Sequence, residues 1–478
     1  MNSKLLNRLL ADKDSSIKET AAVIDRNGLG IAFIVDKKKK LLSVVTDGDI
    51  RRAVLDGLNP GKKIGEISNK NPIVFQPKRG LSEKEIRAFR NSSKIRNAVP
   101  TGGSLKVPVL DSEGRIRDLL FVGAGEKKIS LFSDGKIKLS RRGVKKVLIT
   151  GGAGYLGSIL SRKLLDKGYK VRVFDNLTYG DEGIRGLYKN KNLQFIKGDA
   201  RDISQIIEAL KGVDAVIHLV AIVGDPACQL DPKETIETNY LSTKAVAEAC
   251  KFNQINKFLF ASTCSVYGAS KGAKERLKEN SFLNPVSLYA ETKLKSEEGV
   301  FSLADENFSP TVFRFATLYG ASPRMRFDLV VNIMTANAVS GGNISITGGE
   351  QWRPNLDVSD AAEACLRWLE SPIEDSGGEI FNVGVNNQNY RIIEIGRKVV
   401  RLVPGTRMEI SKEKGDLRDY NVSFDKIARV LKFKPKKTME KGILEMKKLL
   451  QNKKIKDFKD YKYNNYRFLS NGKKTSFK

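Results

Sequence analysis

A tyrosine and a lysine four residues apart are the pair in this chain best suited to acid–base chemistry. Tyr289 and Lys293 belong to the segment Tyr-Ala-Glu-Thr-Lys, and on a helix their side chains share one face. An ammonium beside a phenol stabilises the tyrosinate and lowers the phenol pKa toward neutrality. Tyr289 could therefore act as a general base or acid. Taken alone, such a pair is more often part of a solvated helix face.

Hydroxyl side chains at the end of an apolar segment offer a second reactive group. Thr263 follows the run Phe-Leu-Phe-Ala-Ser and precedes Tyr267 and Gly268. Ligands sit at the carboxyl ends of the strands in parallel sheets. Thr263 could thus hydrogen-bond a ligand hydroxyl or a developing keto oxygen. The alternative interpretation is ordinary capping of a strand end by Ser and Thr.

A glycine-rich turn predicts a dinucleotide site. Gly151, Gly154 and Gly157 directly follow an apolar strand and precede a helical pattern, and a second strand ends at Asp175. Such glycines permit a tight turn and close approach to a pyrophosphate, and the helix N-terminus supplies N–H donors. Asp175 is placed to bind both ribose hydroxyls and would repel a 2′-phosphate, and no Arg directly follows it, which favours NAD over NADP. The alternative is a loop that needs glycines only for packing.

Histidine and cysteine usage argues against several kinds of site. The single histidine, His218, follows a strand, and we interpret it as a buried structural imidazole. One histidine argues against metal sites with several histidines and against most His-based triads. The four cysteines form no CxxC pair, which argues against a zinc site and a disulfide framework. We predict no bound metal.

The order of elements predicts an α/β fold with a parallel sheet and helices on both faces. Short apolar strands alternate with helical patterns after residue 144, and the pattern becomes irregular past about residue 320. The predicted strands lie at 171–175, 193–199, 215–221, 258–262 and 311–317, and later helices lie near 359–370, 391–403 and 423–450.

Length and composition limit the number of folded units, the location and the classes of ligand. The 478 residues suggest about three folded units. No apolar stretch approaches the roughly 18 residues of a membrane helix, and the start does not fit a signal peptide. The expected location is therefore cytoplasmic. The net charge of +29 is compatible with nucleic acid, an anionic surface or an anionic substrate.

The N-terminal region contains an internal repeat. Residues 31–57 and 106–123 each show two β-type runs around a charged turn, and Asp36 aligns with Asp111. A repeated unit of this size suggests two copies packed on each other. We divide the chain into a repeat region, a polar basic linker, a catalytic region and a basic tail, at 1–133, 134–143, 144–450 and 451–478.

Several motifs together resemble the extended short-chain dehydrogenases/reductases. The motifs TGGAGYLG, GDARD, HLVA, FASTCSVYG and YAETK, together with Asp175, follow the order and spacing of the NAD-dependent sugar-nucleotide epimerase/dehydratase branch. The resemblance covers about 144–450. It implies a Rossmann-type doubly wound parallel sheet with a smaller C-terminal substrate-binding subdomain.

The resemblance also implies site residues. The catalytic trio would be Thr263, Tyr289 and Lys293. The cofactor-binding residues would be Gly151, Gly154, Tyr155, Leu156, Gly157, Asp175, Asn176, Asp199, Ala200, Leu219, Ala221, Asn239, Tyr289 and Lys293. The residues that hold the nucleotide diphosphate of a substrate would be Asn332, Arg353 and Arg418.

The repeat region resembles a tandem CBS module of the α+β class. In such modules a T-x-x-D turn can hold an adenosine ribose, here Thr46 and Asp49. The second copy has Phe121 and Ala124 at those positions, which offer neither hydroxyl nor carboxylate. At most one adenine-nucleotide site is therefore expected. The alternative is a packing or dimerisation domain without a ligand.

The residues after Thr263 bear on the reaction type. Eliminating water requires an additional acid and base beside the keto sugar, and the family's 4,6-dehydratases carry an Asp-Glu pair directly after the catalytic threonine. This chain has Cys264 and Ser265 there, which favours an epimerase acting on a nucleotide-activated sugar. Thr317 stands where 4-epimerases usually have an Asn, and a carboxylate such as Glu279 could arrive from another loop, so a dehydratase or reductase remains the alternative.

A rival hypothesis is a non-catalytic, nucleotide-responsive binding module. None of the three catalytic positions is degraded, which argues against it. No recognisable nucleic-acid motif is present, and aromatic–basic interleaving is confined to the tail. The resemblance implies a homodimer, and a role in polysaccharide biosynthesis is expected.

Overall fold

The computed structural model describes residues 7, 9–27, 30–77, 82–98, 104–123, 129–131, 144–253, 255–269, 276–305, 308–411, 416 and 418–475. The chain forms two compact units, residues 1–143 and residues 144–478. The second unit begins at the residue where the sequence places the start of the catalytic region. The predicted linker, 134–143, lies outside the described residues.

The N-terminal unit contains two small sheets with helices beside them. One sheet has the order β1-β2-β3 and the other has the order β4-β5-β6. The strands are β1 (Leu10–Asp12), β2 (Ile31–Val35), β3 (Leu41–Thr46), β4 (Ser104–Leu110), β5 (Ile116–Gly123) and β6 (Ile129–Leu131). The helices are α1 (Ile17–Asn27), α2 (Asp47–Leu55), α3 (Glu83–Arg90) and α4 (Ser93–Ala98), with a 3₁₀ turn at Ile64–Glu66.

The two hairpins of this unit repeat the same turn chemistry. The carboxylate of Asp36 accepts hydrogen bonds from the backbone N–H groups two and four residues later, and Asp111 does the same in its own turn. The turns also pair with each other, because the Leu41 N–H donates to the carbonyl of Gly114 at 3.0 Å. The repeat seen in the sequence is therefore two copies of one hairpin that meet at their turns.

The described part of the second unit is built on seven parallel strands in the order β16-β12-β11-β10-β7-β8-β9. Buried side chains alternate between the two faces of the sheet, as the period of a strand requires. On β7, Val147 and Ile149 join the core under one face, while Leu148 joins the core under the other. Strand order reverses between β10 and β7, and the carboxyl ends of the strands at such a switch point bind ligands.

The smaller elements pack at the carboxyl edge of this sheet. They include the sheets β13-β15-β17 and β14-β18 and a separate apolar core. The strands of this unit are β7 (Lys146–Thr150), β8 (Lys170–Asp175), β9 (Leu193–Lys197), β10 (Ala215–His218), β11 (Lys257–Thr263), β12 (Thr311–Phe315), β13 (Thr317–Tyr319), β14 (Asn343–Thr347), β15 (Trp352–Asp357), β16 (Ile380–Val383), β17 (Asn389–Arg391) and β18 (Arg407–Ser411).

Helices cover both faces of the large sheet and build the smaller subdomain. They are α5 (Tyr155–Asp166), α6 (Ile203–Leu210), α7 (Asp225–Gln229), α8 (Pro232–Ile236), α9 (Ser242–Phe252), α10 (Leu288–Phe301), α11 (Val330–Gly341), α12 (Val358–Glu370), α13 (Ile373–Ser376), α14 (Ile392–Leu402), α15 (Asp425–Val430), α16 (Met439–Gln451) and α17 (Asn465–Thr475). A π turn at Glu237–Leu241 joins α8 to α9, and 3₁₀ turns lie at Arg185–Leu187, Cys264–Tyr267, Asn386–Gln388 and Tyr461–Tyr463.

The C-terminal part differs from the sequence prediction in one helical region. The helix predicted near 423–450 is two helices, α15 and α16, because Pro435 lies in the segment between them and cannot continue a helix. The described part of the basic tail packs within the second unit. Ile455 and Phe458 are buried in the subdomain core, and α17 follows them.

Candidate active site

A large cavity lies at the carboxyl edge of the parallel sheet. Its volume is about 1170 Å³, and the glycine turn, the end of β11, the start of α10 and the C-terminal segment all contribute to its wall. A space of this size exceeds the 300–1,000 Å³ typical of a site for one small ligand. The cavity can thus hold a dinucleotide and a second ligand together.

The glycine turn forms one end of the cavity. Gly151 has a φ of +76°, and a Cβ atom there would meet the backbone of Leu219 and Val220 at 3.0 Å. A Cβ on Gly157 would lie 2.4 Å from the carbonyl oxygen of Gly151, so only glycine lets α5 pack this closely. Gly154 is the N-cap of α5 and offers no capping side chain, which leaves the first N–H groups free to bind phosphate.

Two carboxylates, Asp175 and Asp199, line the part of the cavity that is predicted to hold an adenosine. Asp175 lines the cavity and accepts backbone hydrogen bonds from Ala153 at 3.0 Å and from Leu177 at 2.8 Å. Burial raises the pKa of Asp175. Arg201 donates through Nη2 to the carboxylate of Asp199 at 2.6 Å. The hydrogen bonds from Arg201 hold the pKa of Asp199 below its usual value.

Other predicted cofactor residues share this wall. The part of the lining that belongs to the glycine turn and to the loops after β8, β9 and β10 includes Tyr155, Leu156, Asn176, Ala200, Leu219 and Ala221. The glycine cradle, the open N-terminus of α5 and the carboxylate of Asp175 fit NAD. NAD would supply a carbon centre that accepts and returns a hydride.

Tyr289 and Lys293 occupy the first turns of α10. The side chain of Ser287 caps this helix by accepting the Ala290 N–H at 3.3 Å. Lys293 is buried, donates through Nζ to the carbonyl of Ala261 at 2.8 Å and lies over the ring of Phe260. Burial lowers the pKa of Lys293 to about 8.

Tyr289 and Thr263 face Lys293 across the same wall. Burial raises the pKa of Tyr289, while the charge of Arg326 and a hydrogen bond with Thr263 act in the opposite direction. Thr263 ends β11, and its Oγ1 accepts the Ser265 N–H at 3.1 Å. Thr263 therefore caps the following turn, as one of the two sequence interpretations has it, and it also hydrogen-bonds the phenol of Tyr289.

The positions after Thr263 carry no charge. The thiol of Cys264 is buried, donates to the carbonyl of Arg314 at 3.2 Å, and has its pKa raised by burial. The hydroxyl of Ser265 lies 3.1 Å from that of Tyr420. Glu279 accepts the backbone N–H of Asn382 at 2.9 Å and is not part of the cavity wall, so it supplies no acid or base there.

Two arginines, Arg353 and Arg418, also line the cavity. Arg353 contacts Asp416 at 2.9 Å through Nη2, and Arg418 contacts the same carboxylate through Nε at 2.9 Å. Burial alone would raise the pKa of Asp416, but the hydrogen bonds and charge of Arg418, together with Arg353, hold it well below its usual value. Arg418 also pairs with Asp225 at 2.9 Å.

Two predicted residues are not brought to the cavity wall. The amide of Asn239, within the π turn, pairs with the backbone of Ile222 at 2.8 and 3.0 Å. Asn332 is likewise fully buried and contacts the Tyr155 hydroxyl at 3.1 Å and the Gly320 N–H at 2.9 Å. Both amides therefore position the surrounding backbone from behind the wall.

His218 is buried as expected. Its two ring nitrogens lie 2.7 Å from the Thr150 hydroxyl and 3.0 Å from the Thr243 hydroxyl, and its ring stacks with Phe258 and Phe260. Burial lowers the pKa of His218 to about 3.

Several charged groups in the wall are not among the residues predicted from the sequence. Asp225 accepts a hydrogen bond from Ser287 at 2.7 Å, and its charge acts on Tyr289. The segment Ser-Pro-Arg-Met-Arg-Phe-Asp after β13 adds Arg324, Arg326 and Asp328. The alternation of charged and apolar residues in this segment could have identified these groups, because the segment directly follows the end of a strand.

The described part of the chain offers neither a metal-binding cluster nor a membrane-spanning helix. Those residues contain no cluster of three or more His, Cys, Asp or Glu side chains placed to hold a metal ion. None of the described helices combines the length and apolarity needed to cross a bilayer.

Residues 147–384 match the model of the NAD dependent epimerase/dehydratase family. An uncharacterized UDP-glucose epimerase of Bacillus subtilis is 32% identical over 251 residues, which are 50% of this chain and 76% of the relative. The chain belongs to this family. A probable UDP-arabinose 4-epimerase of Arabidopsis thaliana is 26% identical over 332 residues, 62% of this chain and 80% of the relative.

A solved structure agrees with the fold. The UDP-glucose 4-epimerase of Thermus thermophilus in complex with NAD has a TM-score of 0.56 and 27% identity, and the match covers 64% of this chain and 99% of that one. The predictions of a Rossmann-type sheet and of an NAD-dependent enzyme of this family are thus confirmed.

Proposed function

We propose that this enzyme is an NAD-dependent epimerase of a nucleotide-activated sugar. One observation carries the proposal. Thr263, Tyr289 and Lys293 line a single cavity together with the glycine turn and with Arg353 and Arg418. A relative named as a probable UDP-arabinose 4-epimerase supports the assignment.

Tyr289 is the group that moves the proton. Its phenolate accepts the proton of a sugar hydroxyl while the carbon that bears this hydroxyl is oxidised. Its phenol returns the proton when the keto sugar is reduced on the other face. Lys293 lies one helical turn away and stabilises the phenolate when charged. Thr263 orients the hydroxyl and the keto oxygen, and the buried wall excludes water.

The diphosphate of the substrate is proposed to lie against Arg353 and Arg418. Both guanidinium groups now share Asp416, and guanidinium binds phosphate in the same forked geometry as carboxylate. A diphosphate would thus compete with Asp416 for them. Asn332 holds Gly320 and contributes through that backbone rather than by contact.

A dehydratase is the second candidate, and Asp225 is the observation that favours it. This carboxylate lies in the cavity wall near Tyr289 and could act as an additional acid or base. Ser287 and Arg418 already bind it, and Cys264 and Ser265 stay neutral, so epimerisation is the better-supported reaction.

A panel of nucleotide sugars tests the assignment. Purified enzyme with NAD is incubated with each sugar, and the products are resolved by chromatography and mass. An epimer keeps the mass of its substrate, a dehydration product loses water, and a decarboxylation product loses carbon dioxide. A lighter product, formed by the parent enzyme and absent with Tyr289→Phe, would refute the proposed epimerase.

For the N-terminal unit we propose a tandem CBS pair over 1–133 with at most one adenine-nucleotide site. Asp49 accepts hydrogen bonds from the backbone and hydroxyl of Thr46 at 2.8 and 2.7 Å and pairs with Arg52, so a ribose would have to share its carboxylate. Phe121 lies on β5, and Ala124 lies outside the described residues. A homodimer, a cytoplasmic location and a role in polysaccharide biosynthesis complete the proposal.

A further inference from the structure

The C-terminal segment crosses the cavity on its cofactor side. We define this segment as residues 455–475, which the sequence analysis treated as a basic tail. The carbonyl of Tyr463 accepts the Phe327 N–H at 2.8 Å, and the amide of Asn465 donates to the carbonyl of Val223 at 3.3 Å. Phe468 meets the ring of Tyr179 edge-on. The segment thus touches loops that follow β8, β10 and β13.

Arg324 lies beneath this segment, and the carboxylates of Asp328 and Glu182 act on its charge only from beyond ion-pair distance. It is 5% exposed and lines the cavity. Its Nη2 donates to Asn465 Oδ1 at 2.8 Å, and its guanidinium lies 4.4 Å from the centre of the Tyr179 ring. Within the described ranges, no carboxylate comes within ion-pair distance of Arg324. A buried cation that is bound only by an amide oxygen and a ring is suited to an anionic ligand.

The position of Arg324 indicates which anionic ligand it would bind. Ser322, two residues earlier, donates to the carbonyl of Tyr155 at 2.7 Å, so this strand end is fixed on the first turn of α5. Tyr179 belongs to the loop that carries Asp175, and Val223 belongs to the loop after β10. Arg324 therefore lies close to the loops after β8 and β10 and to the segment fixed on the first turn of α5, the helix whose N-terminus is expected to bind a pyrophosphate.

We propose that Arg324, positioned by Asn465, binds the pyrophosphate of the dinucleotide, and that the C-terminal segment is thereby part of the cofactor site. The inference rests on the cavity being the NAD site. Arg353 and Arg418 then serve the substrate diphosphate separately. Asn465 is a positioning residue, because it acts on the ligand through Arg324. Ligand binding and docking of the C-terminal segment stabilise each other.

Calorimetry with ligands of graded phosphate content tests the proposal. Full-length enzyme freed of nucleotide is titrated with adenosine, ADP, NAD and UDP. Arg324→Gln should lower the affinity for ADP and NAD at least tenfold, because a charged hydrogen bond to a buried phosphate is lost. The affinity for adenosine should change less than twofold. Any adenine-nucleotide site in the N-terminal unit is the same in parent and variant, so the difference reports the cavity.

Matched variants separate charge from folding. Arg429→Gln, an exposed arginine on α15, should leave all affinities unchanged. Arg324→Lys should retain part of the ADP affinity if the charge matters. Equal losses for adenosine and ADP would overturn the proposal, and a loss confined to UDP would assign Arg324 to the substrate instead. Neither result would bear on the epimerase assay, which measures sugar products.

Limited trypsin digestion tests the role of the C-terminal segment. In the parent enzyme, ADP should slow cleavage after Lys459 and Lys462 several-fold, and adenosine should not. Asn465→Ala should weaken this protection and the ADP affinity together while leaving the affinity for UDP unchanged. Cleavage that is independent of ADP in the parent would contradict the coupling.

Discussion

At the scale of single residues, Asp175 is the group that we propose discriminates between the two dinucleotides. Its carboxylate is held by two backbone N–H groups at the ribose end of the cavity, where it would bind the hydroxyls and repel a 2′-phosphate. We expect titrations of the parent enzyme to show a clear preference for NAD over NADP. We expect Asp175→Ala to lower the affinity for NAD by about tenfold or more, because a charged hydrogen bond is lost. Equal affinity of the parent for NAD and NADP would contradict this assignment.

Tyr289 should be required for turnover and dispensable for folding. Replacing it by Phe removes the phenol that hydrogen-bonds Thr263 and lies one helical turn from Lys293. Loss of general acid–base catalysis typically costs about a hundred- to ten-thousand-fold in rate. We expect Tyr289→Phe to lose that much in kcat while calorimetric NAD affinity and the unfolding midpoint stay near parental values. A variant with more than a tenth of parental kcat would show that another group moves the proton.

His218 provides an internal pH probe of stability, because it is the only histidine in the chain. Its pKa is about 3 in the folded protein and near 6.5 when unfolded, so below pH 6.5 the unfolded state binds a proton that the folded state does not. Stability present above pH 6.5 is therefore lost as pH falls, by about 2 kcal/mol between pH 7 and 5. Denaturant unfolding should show this loss, and His218→Gln should lack it. Parallel pH profiles for both proteins would mean that the imidazole is protonated in the fold.

At the scale of elements, the approach of α5 to the glycine turn is the tightest constraint. A Cβ on Gly157 would lie 2.4 Å from one backbone oxygen and 2.6 Å from a backbone carbon, so the helix itself would have to move. We expect Gly157→Ala to destabilise the fold by about 1–3 kcal/mol, as overpacking does, and to weaken NAD strongly. The control is Gly341→Ala at the end of α11, where a Cβ meets nothing within 4 Å. Similar behaviour of the two variants would rule out the steric argument.

The elements also show what could be predicted from sequence and what could not. The glycine turn and the Tyr-Lys pair were predictable because the function fixes their local spacing on one strand and one helix. The resemblance assigned Asn239 and Asn332 to ligand contacts, but spacing alone does not show that their amides face the backbone of Ile222 and Gly320. The docking of the C-terminal segment depends on contacts between residues more than 100 positions apart, such as Asn465 with Arg324.

At the scale of the whole molecule, the N-terminal unit and the catalytic unit are separable in their chemistry. None of the residues proposed for NAD or catalysis lies within 1–133. With the cavity saturated by NAD, calorimetry on the full chain with AMP should find zero or one further site, and Asp49→Asn should abolish any such site by removing the ribose acceptor charge. Two comparable AMP sites per chain would contradict the interpretation of Phe121 in the second copy.

The central claim is that the enzyme removes and returns a hydride at one sugar carbon. The most direct measurement is to run the conversion of an accepted nucleotide sugar in deuterated water and to locate any deuterium in the product by NMR and mass. A hydride returned to the carbon it left does not exchange with solvent, whereas elimination and re-addition of protons does. The account predicts an epimer without carbon-bound deuterium, formed by the parent and absent with Tyr289→Phe. A Tyr289-dependent product that carries solvent deuterium on carbon, or that has lost water, would contradict it.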